Sequence, residues 1–325
     1  MSAKKINLED EYKKIDNPVI SYVKNGAIPH VELIDITREP YITIVPIGDV
    51  HLGSKACRES MFREYINFVK ETPHTYALFL GDIFDVATLS SPTSPYEQSD
   101  SLTEYINMFT DLVTPIKHKV LGVISGNHED RLRKHANLDI LETLSHSIGL
   151  PYFKDSLCNI DIRTGIYERK KPRTNVVERI TPGTSYKITA HHTVGGGRTL
   201  NLNNVDRLRL IVADSDIYIG GHTHKSLMGR AAIMKWSGSA GRSSVNPLDQ
   251  YLIVIGSFLG YEGYPKRKEM PPAPLSVPII TLSTKRNTKI LNVFSDLKSF
   301  KEFKRGFNTM GQKTVLLTKQ PQPQV

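Results

Sequence analysis

Tyr41-Ile42-Thr43-Ile44-Val45-Pro46-Ile47 runs directly into Gly48-Asp49-Val50-His51. The first seven residues are β-branched or apolar and read as a buried strand, with Asp49 just past its C-terminal end. Two later stretches repeat the arrangement. Residues 76–80 lead into Gly81-Asp82-Ile83-Phe84-Asp85, and Val120–Ile124 leads into Gly126-Asn127-His128-Glu129. Between them lie helical patterns. Residues 58–70 place Met61, Phe62, Tyr65, Ile66 and Val69 on one face, and Ser101 with Glu104 forms a capping box opening a helix through Val113. Residues 130–147 read as a third helix, with Leu132, Leu138, Leu141 and Leu144 on its apolar side. Strand alternating with helix implies α/β architecture with a largely parallel sheet, whose ligands bind outside the carboxyl ends of the strands.

Two further motifs follow, His191-His192 before a glycine run and Gly221-His222-Thr223-His224, again after apolar strand-like segments. Five acidic-histidine motifs at strand ends supply enough oxygen and imidazole donors for two divalent cations. A cation pair roughly 3.5–4 Å apart is a standard device for hydrolysing phosphate esters. Asp49 and His51 can turn toward one ion, and Asp82 has two oxygens with which to bridge. Asn127 offers a neutral oxygen, and His222 and His224 can each reach a different ion. A mixed nitrogen and oxygen set suits manganese first, with iron or zinc as alternatives, better than magnesium or calcium alone.

Bulk properties narrow the class. The chain of 325 residues carries 42 Lys plus Arg against 33 Asp plus Glu, a net charge of +9. No apolar run is long enough to cross a bilayer and the amino terminus lacks a signal-peptide core, so the expected compartment is the cytoplasm, without a membrane partner. Cys57 and Cys158 are not in metal-binding spacing. The basic excess is concentrated at residues 169–173 and 266–268, with Arg131, Arg133 and Lys134 after the third motif. Such runs either attract a polyanion to the acidic centre or form solvated loop faces. Residues 1–40, polar and weakly patterned, read as an N-terminal arm or short edge strand, and residues 311–325 as a flexible tail. Trp236 reads as a core residue in preference to a base-stacking one. His30, His74, His118, His135 and His146 have no motif around them.

The ordered set D-x-H, G-D-x-x-D, G-N-H-E, a histidine before a glycine run and G-H-x-H resembles the calcineurin-like metallophosphoesterase superfamily, its phage- and prophage-type branch most of all. The resemblance spans residues 42–225 and implies a four-layer α/β/β/α metallophosphoesterase sandwich with mixed sheets, over residues 41–310. By position it assigns Asp49, His51, His224 and a bridging Asp82 to one metal, and Asn127, His222 and a middle histidine to the other. In that branch the middle ligand stands six residues before an Arg that follows the glycine run. Counting back from Arg198 gives His192, whereas other branches favour His191. The resemblance gives His128 the protonation of the leaving oxygen or stabilisation of charge, with Asp85 holding it. Arg131 and Arg198 are candidates for binding a phosphate oxygen, or surface ion-pair partners.

The expected activity is hydrolysis of a phosphodiester by a dinuclear centre, with DNA or RNA as the favoured substrate. A phosphomonoesterase or a nucleotide or protein phosphatase is the alternative. Against the protein-phosphatase subgroup, Leu52 follows His51 and Val86-Ala87 follows Asp85, where that subgroup carries Gly and Arg-Gly. A non-catalytic scaffold of the same fold is less favoured, because every ligand position and the His128 position is filled.

Overall fold

A computed structural model of the chain places Tyr41–Ile47 as an interior strand, parallel to one neighbour and antiparallel to the other. The structure describes residues 17–88, 91, 98–154, 157–170, 177–195, 200–238, 242–262, 266, 272 and 274–305. In chain order the strands are β1 (Val19–Val23), β2 (His30–Asp35), β3 (Tyr41–Ile47), β4 (Thr75–Phe79), β5 (Val120–Ile124), β6 (Tyr152–Phe153), β7 (Cys158–Thr164) and β8 (Tyr167–Lys170). They continue with β9 (Val177–Thr181), β10 (Thr184–His191), β11 (Ile217–Gly220), β12 (Leu227–Ser237), β13 (Ser244–Val254), β14 (Ile279–Ser283) and β15 (Leu291–Phe294). The helices are α1 (Glu59–Glu71), α2 (Leu102–Val113), α3 (Glu129–Ala136), α4 (Ile140–Ile148), α5 (Asn203–Asp206) and α6 (Leu208–Ile211).

Two mixed sheets pack face to face. One has the order β15-β14-β3-β4-β5-β6, the other β1-β2-β7-β10-β11-β13-β12. Ile42, Ile44, Tyr76, Leu78 and Leu121 of the first meet Ile160, Ile162, Ile188, Ile217 and Ile253 of the second. The opposite face of the first sheet, with Val45, Ile47, Ala77 and Phe79, is covered by Phe62, Tyr65 and Val69 of α1 and by residues of α2 and α4. The second sheet is covered on its outside by Val205 and Leu208 of α5 and α6. These are the α/β/β/α layers of the expected sandwich. Burial on both sides explains why β3, β4 and β5 are continuous apolar runs.

The first two helices follow their sequence signals closely. In α2, Ser101 and Glu104 form both bonds of the capping box. Lys119 Nζ closes the end of α1 by donating to the carbonyls of Val69, Lys70 and Thr72 at 2.8, 3.1 and 2.9 Å.

Three expectations need correction. Among its described residues the N-terminal stretch supplies the short edge strand β1, one of the two readings, but the arm expected over residues 1–40 does not hold for β2, an internal strand parallel to β7 that puts Val31 and Leu33 fully into the core between the sheets. Burying those two side chains contributes about 3–6 kcal/mol, a large part of a domain's net stability. Asp35 at its end is buried, accepting from Tyr76 Oη at 2.5 Å and from His74 Nδ1 at 3.0 Å, which ties the two sheets together. The helix expected over residues 130–147 is two helices. Asn137 adopts a left-handed cap and Asp139 accepts from Glu142 N–H to restart the chain, leaving Leu138 exposed. Trp236 is 73% exposed: it stands on the face of the edge strand β12 whose residues Met228, Arg230, Ala232 and Met234 are exposed along its whole length. Residues 1–16 and the tail 311–325 lie outside the described residues.

The C-terminal ends of β3, β4 and β5 in one sheet meet those of β10, β11 and β13 in the other. The bond from Phe258 N–H to Asp49 O joins the two sheets there, while Asp49 N–H to Gly81 O and Ile255 N–H to Gly220 O tie neighbouring strand ends within each sheet. The far end of the sandwich differs. β7 runs antiparallel to β10 and pairs Thr164 with Thr184 there, so the β8–β9 hairpin carrying Arg169 and Lys170 starts a full strand length away, roughly 25 Å. Among the described residues, no helix is long and apolar enough to cross a membrane.

Candidate metal centre

The turns after the strands are sharp, and the polar residues at them bear the strain. Asp49, His51, Asp82, His222 and His224 all have φ between 49° and 74°, the left-handed region that side chains avoid. Such conformations persist only where surrounding contacts enforce them, and they aim these side chains back across the strand ends. The loops after β4 and β5 lie so close that a Cβ on Gly81 would stand 2.6 Å from Gly126 N, and one on Gly126 would fall on Asp82. Glycine in those two motifs is therefore a requirement of close approach.

Two groups of donors result. In the first, His51 Nε2 and His224 Nε2 face each other at 3.1 Å, and Asp49 Oδ1 lies 3.3 Å from His224 Nε2. In the second, His192 Nε2 lies 3.1 Å from Asn127 Oδ1 and 3.3 Å from Asp82 Oδ2, with His222 completing the group. Asp82 Oδ2 also stands 3.9 Å from His51 Nε2, so one carboxylate faces both groups. Lone-pair donors about 3 Å apart match ligands sharing a cation at ~2.1 Å. Both groups could hold a divalent metal. His192 Nδ1 donates to Leu80 O at 2.7 Å, the outer bond that leaves Nε2 free to ligate.

His192, not His191, enters the cluster. It continues the inward parity of Tyr186, Ile188 and Ala190, all buried between the sheets, whereas His191 Nδ1 accepts from Thr193 N–H. That period of two was the sequence signal able to separate them. Arg198 lies outside the described residues.

His128 stands beside both groups, its ring edge-on to His51 with centroids 4.4 Å apart. Its Nδ1 donates to Asp85 Oδ1 at 2.8 Å, and its Nε2 accepts from Arg131 Nη2 at 2.9 Å. Both ring nitrogens thus have partners. Arg131 also donates to Val86 O at 2.9 Å and lies 4.0 Å from Asp85 Oδ1, so its half-buried guanidinium is turned onto the His128–Asp85 pair. Sequence reading passed over Glu129. Its buried carboxylate accepts from the backbone N–H groups of Asp82, Phe84 and Gly126 at 3.0, 2.9 and 3.0 Å.

Charge in the cluster is arranged for cations. Burial opposes ionisation of Asp49 and Asp82, but the neighbouring histidines hold both carboxyls below the usual range. Burial and His128 push His51 down to about 4, leaving it neutral. Burial also disfavours the His192 imidazolium, yet the adjacent Asp82 charge raises it to about 10. Burial and Asp82 push the Glu129 carboxyl up to about 7, against its backbone donors. At neutral pH a cation must therefore displace the His192 proton. Binding of Mn²⁺ to metal-free protein at pH 7 is expected to release about one proton or more, and affinity should climb between pH 6 and 8. Calorimetry in buffers of different ionisation enthalpy measures this, and a heat independent of buffer contradicts it.

A family model described as calcineurin-like phosphoesterase matches residues 42–226, more than half of the chain. The chain belongs to the calcineurin-like phosphoesterase family. All seven donors and His128 fall within the matched segment. No curated protein matches this calcineurin-like phosphoesterase. Among solved structures it is similar to wild-type Vps29 from Entamoeba histolytica, complexed with zinc, at 12% identity and a TM-score of 0.31, covering 78% of this chain and 98% of that one. A likeness that faint carries no argument about chemistry. The family and the donor groups support metal-dependent phosphoester hydrolysis.

Proposed function

We propose that this chain hydrolyses a phosphodiester at a dinuclear centre held by Asp49, His51 and His224 on one side, by Asn127, His192 and His222 on the other, and by Asp82 between them. The placement of the Asp82 carboxylate against both donor groups carries the reading. Manganese suits the donor set, with iron or zinc as alternatives. Two such cations supply Lewis-acid stabilisation of phosphoryl charge and water activation. The chain's own contribution is positional and protonic. His128, held through Nδ1 by Asp85, presents Nε2 beside the cluster; once Arg131 gives way and Nε2 takes up a proton from solvent, the imidazolium protonates the leaving oxygen or stabilises charge. Arg131, released from that bond, is within reach of a phosphate oxygen.

The test is manganese-loaded protein assayed in parallel on bis-p-nitrophenyl phosphate, p-nitrophenyl phosphate, DNA and RNA. Faster cleavage of the monoester than of any diester would favour the phosphatase alternative, and no cleavage of any would favour a scaffold.

Nucleic acid is the favoured diester because of the net charge of +9. The two basic runs do not support it equally. Arg169 and Lys170 sit on the hairpin at the far end of the sandwich. Residues 255–262, in contrast, are bonded to Gly220, Asp49 and Ala56 at the cluster end, and Lys266 is at most roughly 14 Å of chain from Glu262. Replacing Lys266, Arg267 and Lys268 by Ala is expected to raise KM for DNA or RNA several-fold and flatten its salt dependence, while Arg169→Ala with Lys170→Ala changes neither. Steady-state assays over a salt series decide. Insensitivity to both sets at every salt concentration would leave a small phosphoester as the substrate.

A further inference from the structure

We infer that Glu129 is a positioning residue that sets the distance between Asp82 and Asn127, and through it the affinity of the cation position formed by Asp82, Asn127, His192 and His222. The inference rests on the dinuclear reading above.

Glu129 opens α3 and is only 1% exposed. A carboxylate in that setting is costly unless its oxygens are matched. An acid in the first turn of a helix ordinarily serves its own helix end. This one reaches outward to the loop after β4: Oε2 accepts from Asp82 N–H and Oε1 from Phe84 N–H, at 3.0 and 2.9 Å. Oε2 also accepts from Gly126 N–H at 3.0 Å, so a single oxygen joins the backbone of the loop carrying Asp82 to that of the loop carrying Asn127. This bond accounts for the close approach of Gly81 and Gly126.

The chain of contacts continues to the donors. With the loops together, His128 N–H donates to Asp82 Oδ1 at 2.8 Å. That bond fixes the carboxylate so that its other oxygen, Oδ2, faces His192 Nε2 at 3.3 Å, with Asn127 Oδ1 3.1 Å from the same nitrogen. The Asp49, His51 and His224 group has one support that Glu129 does not touch, since the Asp49 carboxylate oxygens accept from His222 N–H at 3.1 and 2.9 Å. It shares Asp82, and Asp49 N–H and His51 N–H donate to Gly81 O and Asp82 O on the same loop, but it draws no donor from the Asn127 loop. Loss of the Glu129 bonds should therefore weaken the position that needs both loops more than the other.

Glu129→Gln keeps the length and one acceptor but turns an amide N–H₂ toward a backbone donor. Metal-free parent and variant are titrated with Mn²⁺ by calorimetry, with electron paramagnetic resonance following the coupling of the pair. The parent is expected to bind two ions per chain as a spin-coupled pair. The variant should bind one ion within a few-fold of the parent's affinity and the second about 10–100-fold more weakly, giving an uncoupled Mn²⁺ spectrum at one equivalent. If Glu129→Gln does not fold, as judged by circular dichroism, Glu129→Asp retains the charge with too short a reach to join both loops, and the same selective weakening is expected. Two ions bound by the variant with parental affinities, or equal weakening of both, overturns the positioning role. Fewer than two ions in the parent overturns the dinuclear reading instead, so the two failures are distinct.

Discussion

Asp82→Asn is expected to lower turnover of a phosphodiester by at least about 10³-fold, roughly 4 kcal/mol of barrier, while the protein stays folded. Asn preserves the shape of the side chain, and its carbonyl oxygen can still accept from His128 N–H, the bond that now holds Asp82 Oδ1 at 2.8 Å. The amide nitrogen cannot ligate in place of Oδ2, which faces both donor groups. One substitution thus damages both positions. Metal content after desalting should fall from two per chain to one or fewer, with a circular dichroism spectrum like the parent's. Near-parental turnover with two bound ions would show that Asp82 is no bridge.

His128→Ala separates proton chemistry from ligation. Both ring nitrogens are engaged, with Asp85 and Arg131, so removal of the ring should leave metal content unchanged. Turnover should fall about 10²–10⁴-fold, the range for a positioned acid. The loss should be greatest for an alkoxide leaving group and smallest for a nitrophenolate, which needs little protonation. Equal losses across a leaving-group series would assign His128 to stabilising charge on phosphorus-bound oxygen. Retained turnover with every leaving group would remove His128 from the reaction.

Much of this architecture was legible in the chain because local signals and global layout agree. Apolar runs ending in Gly-Asp or Gly-Asn marked β3, β4 and β5 and their site-bearing ends, and the capping box marked α2. The errors lie where burial is decided by remote packing. In β2, Val31 and Leu33 alternate with polar residues, and only pairing with β7 shows that one face enters the core. The apolar side of residues 130–147 runs unbroken in sequence, but Asn137 and Asp139 cap two helices within it. Trp236 has apolar neighbours in Ile233 and Met234, and nothing local reveals that one whole face of the edge strand β12 stays exposed. At the site, residue types announced the donors, but the left-handed turns and the Glu129 bonds belong to the meeting of separate loops.

The central claim is that phosphoester hydrolysis here depends on two cations held by one shared carboxylate. The most direct measurement is the rate of bis-p-nitrophenyl phosphate hydrolysis by metal-stripped protein during titration with Mn²⁺. Negligible hydrolysis before addition and a rise that levels off at two equivalents per chain is the expected result. Full turnover by the metal-free protein, or saturation at a single equivalent, would contradict it.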